Sequence, residues 1–265
     1  MLSTENIDPI SGSPDRFGYS WARFNDLSED QFEQFRRWTS LIDPRTGWNN
    51  QRFLDVGCGA GRNSYWAMSL GAQGGVAIDL NSASLAAAKR NLKKFDQVEV
   101  RTQSVYELED REAFDIVFSL GVIHHLERPD LALRKMYDAV RPGGRLLIWV
   151  YGHENMENYL RFVDPMRKHF FSRMPLPVVR TIAHAPSIAL YLGLRAGLGR
   201  LEYFRLLRRF SYRHIHHILF DQMIPRIANY WRRDEVVELM QNAGFVDPQI
   251  TAVNGMSWCA MGVRR

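Results

Sequence analysis

Cysteine is scarce in this 265-residue sequence: there are two, Cys58 and Cys259. Two are too few for a disulfide framework or a zinc ribbon, and they fit a reducing compartment, the cytoplasm. No apolar run reaches the roughly 18 residues of a membrane span. The opening, MLSTENIDPI, has neither the basic n-region nor the apolar core of a secretory signal. Internal repeats and low-complexity tracts are also missing. Against these absences stand 46% hydrophobic and 24% charged residues, the balance of a globular chain that can bury a core rather than a disordered one. The length allows one domain with a large insertion, or two small domains.

The net charge of +5 is unevenly placed. Residues 152–233 carry 14 Lys+Arg against 5 Asp+Glu, leaving 20 against 24 for the rest of the chain. The same segment is rich in Arg, Tyr, Phe and His. An excess of this kind favours an anionic partner wherever it faces one.

Ser28–Trp38 reads as a helix, with Ser28 as N-cap and Gln31 completing a capping box. Short apolar strand runs follow at Phe53–Val56, Gly75–Ile78, Val98–Arg101, Phe114–Phe118 and Arg145–Val150. They alternate with helical segments Arg62–Leu70, Ser82–Lys93 and Pro129–Val140, the pattern of a parallel sheet covered by helices on both faces. Pro142-Gly143-Gly144 reads as a turn opening the fifth strand. After Tyr151 the alternation stops, and residues 156–218 read as short helices broken at Pro165, Pro175, Pro177 and Pro186. It resumes with a helix at Arg233–Asn242 closed by Gly244. Strands Gln249–Val253 and Ser257–Val263 then flank Asn254-Gly255, the favoured two-residue hairpin turn. The expected fold is α/β: a doubly wound, Rossmann-like, seven-stranded sheet with an antiparallel C-terminal hairpin and a helical insertion after strand five. The expected divisions are N-terminal lid helices (1–50), a binding core (51–151), a basic helical cap (152–233) and a C-terminal helix and hairpin (234–265).

The sharpest motif is Leu54-Asp55-Val56-Gly57-Cys58-Gly59-Ala60-Gly61, after a strand and before a helix. Such glycines let the backbone approach a ligand and expose helix N-terminal amides, although a plain tight turn would use them too. The position that would complete a dinucleotide fingerprint is Arg62, not glycine. Asp55 at the loop mouth would repel a pyrophosphate but suits an ammonium or sulfonium charge. Asp79, ending the second strand, can accept from both hydroxyls of a ribose. An adenosine ligand with a cationic amino-acid tail satisfies all three observations.

LDVGCGAG (54–61), AIDL (77–80), FDIVFSLGVIHHL (114–126) and RPGGRLLIWVY (141–151) resemble, in order and spacing, the class I S-adenosylmethionine-dependent methyltransferases. FGYSWARF (17–24), DQMIP (221–225) and the final hairpin resemble a bacterial small-molecule branch of that family. The resemblance implies S-adenosylmethionine as cofactor and S-adenosylhomocysteine as product. It places Gly57, Gly59 and Gly61 along the methionine tail with Asp55 near its ammonium, Asp79 on the ribose, Leu80 beside the adenine, and Leu120 and Gly121 near the sulfur. The family's Asp after strand three is replaced here; Ser104, beside Val105, is the aligned position and offers a hydroxyl to the adenine.

On the acceptor side, His124 and His125 follow strand four, where one could serve as general base or both could hydrogen-bond a helix start. Tyr151 and His153 follow strand five and face an acceptor or the interior. Tyr19 and Trp21 form part of a lid or of an aromatic core, and Asp221 anchors an acceptor or caps a helix. His214, His216 and His217 make a poor metal site, because 216 leaves the face shared by the other two; no metal is expected. The basic cap covers an anionic or amphipathic acceptor, rests on a membrane surface, or forms a solvated face with a dimer contact.

The leading reading is methyl transfer to O or N of a small molecule by a monomer or homodimer, with no stable nucleic-acid partner and with room for peripheral membrane contact. The alternatives are a nucleic-acid methyltransferase, a C-methyltransferase of a quinone- or lipid-like acceptor at a membrane, a nicotinamide dehydrogenase, and a silent binding module. The segment SLGVIHH lacks the Asn/Asp-Pro-Pro-aromatic tetrad that holds a flipped base, and Asp55 with Arg62 argues against the dehydrogenase.

Overall fold

The computed structural model describes residues 12–24, 27–197, 199 and 202–265. Its centre is a seven-stranded sheet: β1 (Arg52–Val56), β2 (Gly74–Asp79), β3 (Val98–Thr102), β4 (Phe114–Leu120), β5 (Val140–Tyr151), β6 (Gln249–Val253) and β7 (Ser257–Val263). The strand order is β3-β2-β1-β4-β5-β7-β6, with β7 antiparallel to both neighbours and the other six strands running in one direction. The order reverses between β1 and β4, and a crevice at the carboxyl ends of the strands is the usual consequence.

Both faces of the sheet are buried, which is why its strands are nearly continuous apolar runs. On one face Leu54, Val56, Val117, Leu146 and Ile148 pack against α5 (Pro129–Ala139) and α10 (Arg233–Ala243). On the other, Phe53, Ile116, Phe118 and Leu147 pack with residues of α2 (Glu29–Trp38), α3 (Arg62–Ser69) and α4 (Ser82–Asn91). The expected capping box is present at α2, where Ser28 N–H donates to Gln31 Oε1 at 3.0 Å. At α4, Asn81 Oδ1 accepts from the N–H groups of Ala83 and Ser84. The hairpin turn forms at the expected place but with three loop residues rather than two, Asn254 and Gly255 both at positive φ and Met256 N–H donating to Val253 O. Pairing resumes at Val253–Ser257, so Met256 is left out of register.

Three further local expectations are corrected. Pro142-Gly143-Gly144 does not precede β5 but lies within it, as an irregularity where the β4 register jumps between Phe114 and Ile116; Gly143 N–H and Gly144 O both pair with Arg264. Pro186 does not break its helix. α7 (Leu176–Arg195) runs through it, because the missing N–H costs one ladder bond while Val179, Ala183, Ser187 and Leu194 stay buried on the inner face. Pro175 and Pro177 act as expected, at the start of α7. Pro165 does not break its helix either: residues 157–169 are continuously helical, π-type over Tyr159–Val163 and α-type in α6 (Asp164–His169).

Between β5 and α10 the described residues are mainly helical: a π-helical turn at Tyr159–Val163, α6, α7, α8 (Glu202–Leu207) and α9 (Tyr212–Met223). The N-terminal helix α1 (Pro14–Trp21) is clamped to this layer. Arg16 donates to the carbonyls of Ile224, Phe171 and Met174, and Ser20 Oγ donates to Asp221 at 2.5 Å. Residues 1–11, part of the expected lid, lie outside the described residues. No helix among the described residues is long and apolar enough to cross a membrane.

Candidate active site

A cleft of about 710 Å³ opens at the carboxyl ends of β1–β5 and is closed from the other side by α1, α2, α8 and α9. Its size is that of a ligand site, typically ~300–1,000 Å³. The floor begins at the glycine loop. Gly57 and Cys58 N–H both donate to Ile78 O, tying the loop to β2. Gly57 sits at φ +76°, and a Cβ there would lie 2.4 Å from a Val122 methyl, so only glycine fits under the β4 loop. At Gly61 a Cβ would press on Ala88 of α4 and on Leu92, its C-cap. That glycine permits close packing and is not on the cleft wall; nor is Gly59, which is covered by the Trp21 ring.

Asp79 is on the wall. Its Oδ2 accepts from Gly59 N–H and its Oδ1 from Asn81 N–H, each at 2.9 Å. Burial raises its pKa, and these backbone bonds pull the other way. One carboxylate thus joins the glycine loop to the start of α4 while facing the cleft. Leu80, Ser104, Val105, Leu120 and Gly121 complete this end. Beside Ser104, Gln103 contributes a buried Oε1 with no hydrogen-bond partner.

Asp55 is placed differently from expectation. It is fully buried, absent from the wall, and held through Oδ2 by Ser64 Oγ at 2.6 Å, while Oδ1 has no partner. Desolvation pushes its pKa up to about 7, with the Asp79 charge adding to the rise. A pKa raised on folding stabilises the fold fully below the unfolded value, and the contribution is lost as pH rises through about 7. Asp55→Asn is therefore expected to gain thermal stability relative to the parent as pH goes from about 5 to about 8. Paired melting curves across that range check it; a pH-independent difference would contradict it.

The other end of the cleft is aromatic. Trp38 stacks on Trp149 at 4.3 Å between ring centroids, and Tyr151 and Tyr203 add further faces. His125 reaches the wall. Its Nδ1 lies 2.7 Å from Ile227 O, so Nδ1 carries the proton and Nε2 the lone pair. Desolvation pushes its pKa down to about 4, keeping the ring neutral near pH 7. Asp221 also lines the cleft. Oδ1 accepts from Ser20, and Oδ2 is 2.9 Å from His217 Nε2, close enough for an ion pair but off the hydrogen-bonding axis. Gln222 Nε2 donates to the Tyr151 hydroxyl.

Three expected acceptor-side residues are elsewhere. His124 is buried, with neither ring nitrogen hydrogen-bonded, and stacks flat on Tyr151 at 3.6 Å; it neither lines the cleft nor bonds a helix start. Tyr19 packs on Phe220 with Arg23 over its ring. His153 is bound through its backbone to Trp231 and stands off the wall. Among the described residues no cluster of His, Cys, Asp and Glu could hold a metal.

A family model described as a methyltransferase domain matches residues 54–148. Residues 54–148 thus match a methyltransferase domain. A tRNA U34 carboxymethyltransferase of Shewanella sediminis is 33% identical over 115 residues, which are 42% of this chain and 35% of that protein. The chain thus spans about a third of the length of the curated relatives it matches first. Two solved structures share the fold over nearly the whole chain. The 1,6-didemethyltoxoflavin-N1-methyltransferase of Burkholderia thailandensis, with 1,6-didemethyltoxoflavin and S-adenosylhomocysteine bound, aligns at TM-score 0.58 and 16% identity over 99% of this chain and 93% of that one. The magnesium protoporphyrin IX methyltransferase of Synechocystis PCC 6803, with S-adenosylhomocysteine bound, aligns at 0.57 and 14% over 97% of each chain.

Within and around the methyltransferase domain, sequence reasoning missed Gln103, Trp38, Trp149, Tyr203, His217 and Gln222 as wall residues. His217 and Asp221 are four apart on one helix, a spacing that signals a shared face. Trp38 and Tyr203 carry no local signal, since tertiary folding alone brings them to the cleft.

Proposed function

We propose that the chain is an S-adenosylmethionine-dependent methyltransferase acting on O or N of a small, planar, amphipathic molecule. The observation that carries this reading is one continuous cleft, with Asp79 and the Gly57 loop at one end and the Trp38–Trp149 wall at the other. The residues fit the cofactor: Asp79 presents a carboxylate fixed by two backbone donors to the ribose, and Gly57 leaves bare backbone beside the amino-acid tail. Gln103 Oε1, buried and unpaired, accepts from the adenine amino group in place of the missing acidic residue. The bound sulfonium supplies an electrophilic methyl group. Asp55 acts from behind the loop by holding Ser64 at the start of α3. On the acceptor side, Trp149 and Tyr151 orient a flat ring, and His125 Nε2 or Asp221 receives the hydrogen bond of the N–H or O–H to be methylated. Holding the reacting atoms in line supplies much of the catalysis.

The charge of the cap does not reach the acceptor: among the described residues, none of the Lys and Arg side chains of 152–233 lines the cleft. An amphipathic acceptor therefore fits better than an anionic one. A nucleic-acid acceptor is the second reading, favoured by the name of the Shewanella relative. Incubation with methyl-labelled S-adenosylmethionine, followed by separate counting of RNA and small-molecule extracts, decides between them. Label in the small-molecule fraction is expected; label confined to RNA would overturn the proposal.

The adenine contact has its own test. Gln103→Ala is expected to weaken S-adenosylhomocysteine binding by about 0.5–1.5 kcal/mol, the worth of one neutral hydrogen bond. Calorimetric titration reads this, and an unchanged dissociation constant would remove Gln103 from the site.

A further inference from the structure

The 20-residue helix α7 buries one face against α9 and α8 through Val179, Ala183, Ser187 and Leu194. Its opposite face is exposed and mainly apolar: Val178, Ile182, Ala185, Ile188 and Leu192 recur at helical spacing, with Thr181 among them, His184 at the edge and Leu192 61% exposed. At 1.5 Å per residue this stripe is about 20 Å long. The preceding π-helical turn and α6 expose Phe162, Met166 and Phe170 as well. A contiguous apolar face of this size on a water-facing helix marks an interaction surface.

The charge around it identifies the partner. Across residues 158–201 there are seven Lys+Arg and a single acid, Asp164. That acid is buried and taken up by Arg167 and Lys168. Arg161, Arg173 and Arg195 are exposed. A second copy of the chain would bring two basic surfaces together, which repulsion opposes. An anionic bilayer complements both features, taking the apolar stripe into its headgroup boundary and pairing the arginines with lipid phosphates.

We propose that the outer face of α7, with the exposed rim of α6, is a peripheral binding surface for anionic membranes. The test is co-sedimentation of the full chain with vesicles of phosphatidylcholine alone and of phosphatidylcholine mixed with phosphatidylglycerol. Binding to the mixed vesicles, weakened by salt and much reduced on phosphatidylcholine alone, is expected. Ile182→Glu/Leu192→Glu should lower the partition coefficient at least about tenfold, because two apolar anchors are removed from the interface. Circular dichroism and S-adenosylhomocysteine binding verify that this variant is folded. Arg173→Glu/Arg195→Glu, which leaves the stripe intact, should weaken binding to the mixed vesicles only. Failure to sediment with anionic vesicles, equal binding to both compositions, or unchanged binding by both double variants would overturn the proposal. So would a concentration-dependent dimer abolished by Ile182→Glu/Leu192→Glu, which would assign the face to a second copy.

Discussion

Asp79→Ala should weaken binding of S-adenosylhomocysteine by about 1–3 kcal/mol, roughly 5- to 150-fold, the scale of lost charge-assisted hydrogen bonds. The expectation rests on two roles of one carboxylate. It faces the cleft, where it would hold a ribose, and it accepts from Gly59 and Asn81 N–H, which fixes the glycine loop against the start of α4. Alanine removes the ligand contact and leaves both backbone donors without their acceptor. Asp79→Asn keeps one acceptor oxygen and should fall between the two. The side chain stands at a strand end, so circular dichroism should show the fold intact while calorimetry shows the loss. An unchanged dissociation constant for Asp79→Ala would exclude it as the ribose anchor.

Gly57→Ala should be nearly as damaging, and for a steric reason. The backbone there is in the left-handed region, and the added methyl would strike the Val122 side chain at the end of β4. Left-handed strain and overpacking each cost about 1–3 kcal/mol. The loop must shift, and with it the floor on which the cofactor's tail is expected to rest. Val122→Ala in the same chain removes the facing methyls and should restore part of the affinity, leaving the conformational cost of the positive φ. Calorimetry on the single and double variants separates the two contributions. Equal affinity of Gly57→Ala and the parent would mean that the loop tolerates a side chain and is not a cradle.

The sheet was legible because each strand is an apolar run set off by turn chemistry. The Asn254-Gly255 hairpin and the α4 cap follow from local residues alone. Less local features were not legible. Pro186 looks like a breaker, but burial of Val179, Ala183, Ser187 and Leu194 outweighs one missing hydrogen bond. Asp55 looks like a ligand because it adjoins the glycines. Strand alternation, however, turns its side chain toward Ser64 and away from the cleft. His124 and His125 are neighbours in sequence with opposite surroundings. One stacks behind Tyr151, while the other bonds Ile227 and reaches the wall. The roof is the hardest part to read, since Trp38 and Tyr203 converge from helices far apart in the chain.

Calorimetric titration of the purified chain with S-adenosylhomocysteine, and in parallel with NAD, tests cofactor identity most directly. Saturable binding of one S-adenosylhomocysteine per chain, with no heat of binding from NAD, is the expected result. Saturable NAD binding with no response to S-adenosylhomocysteine would contradict it.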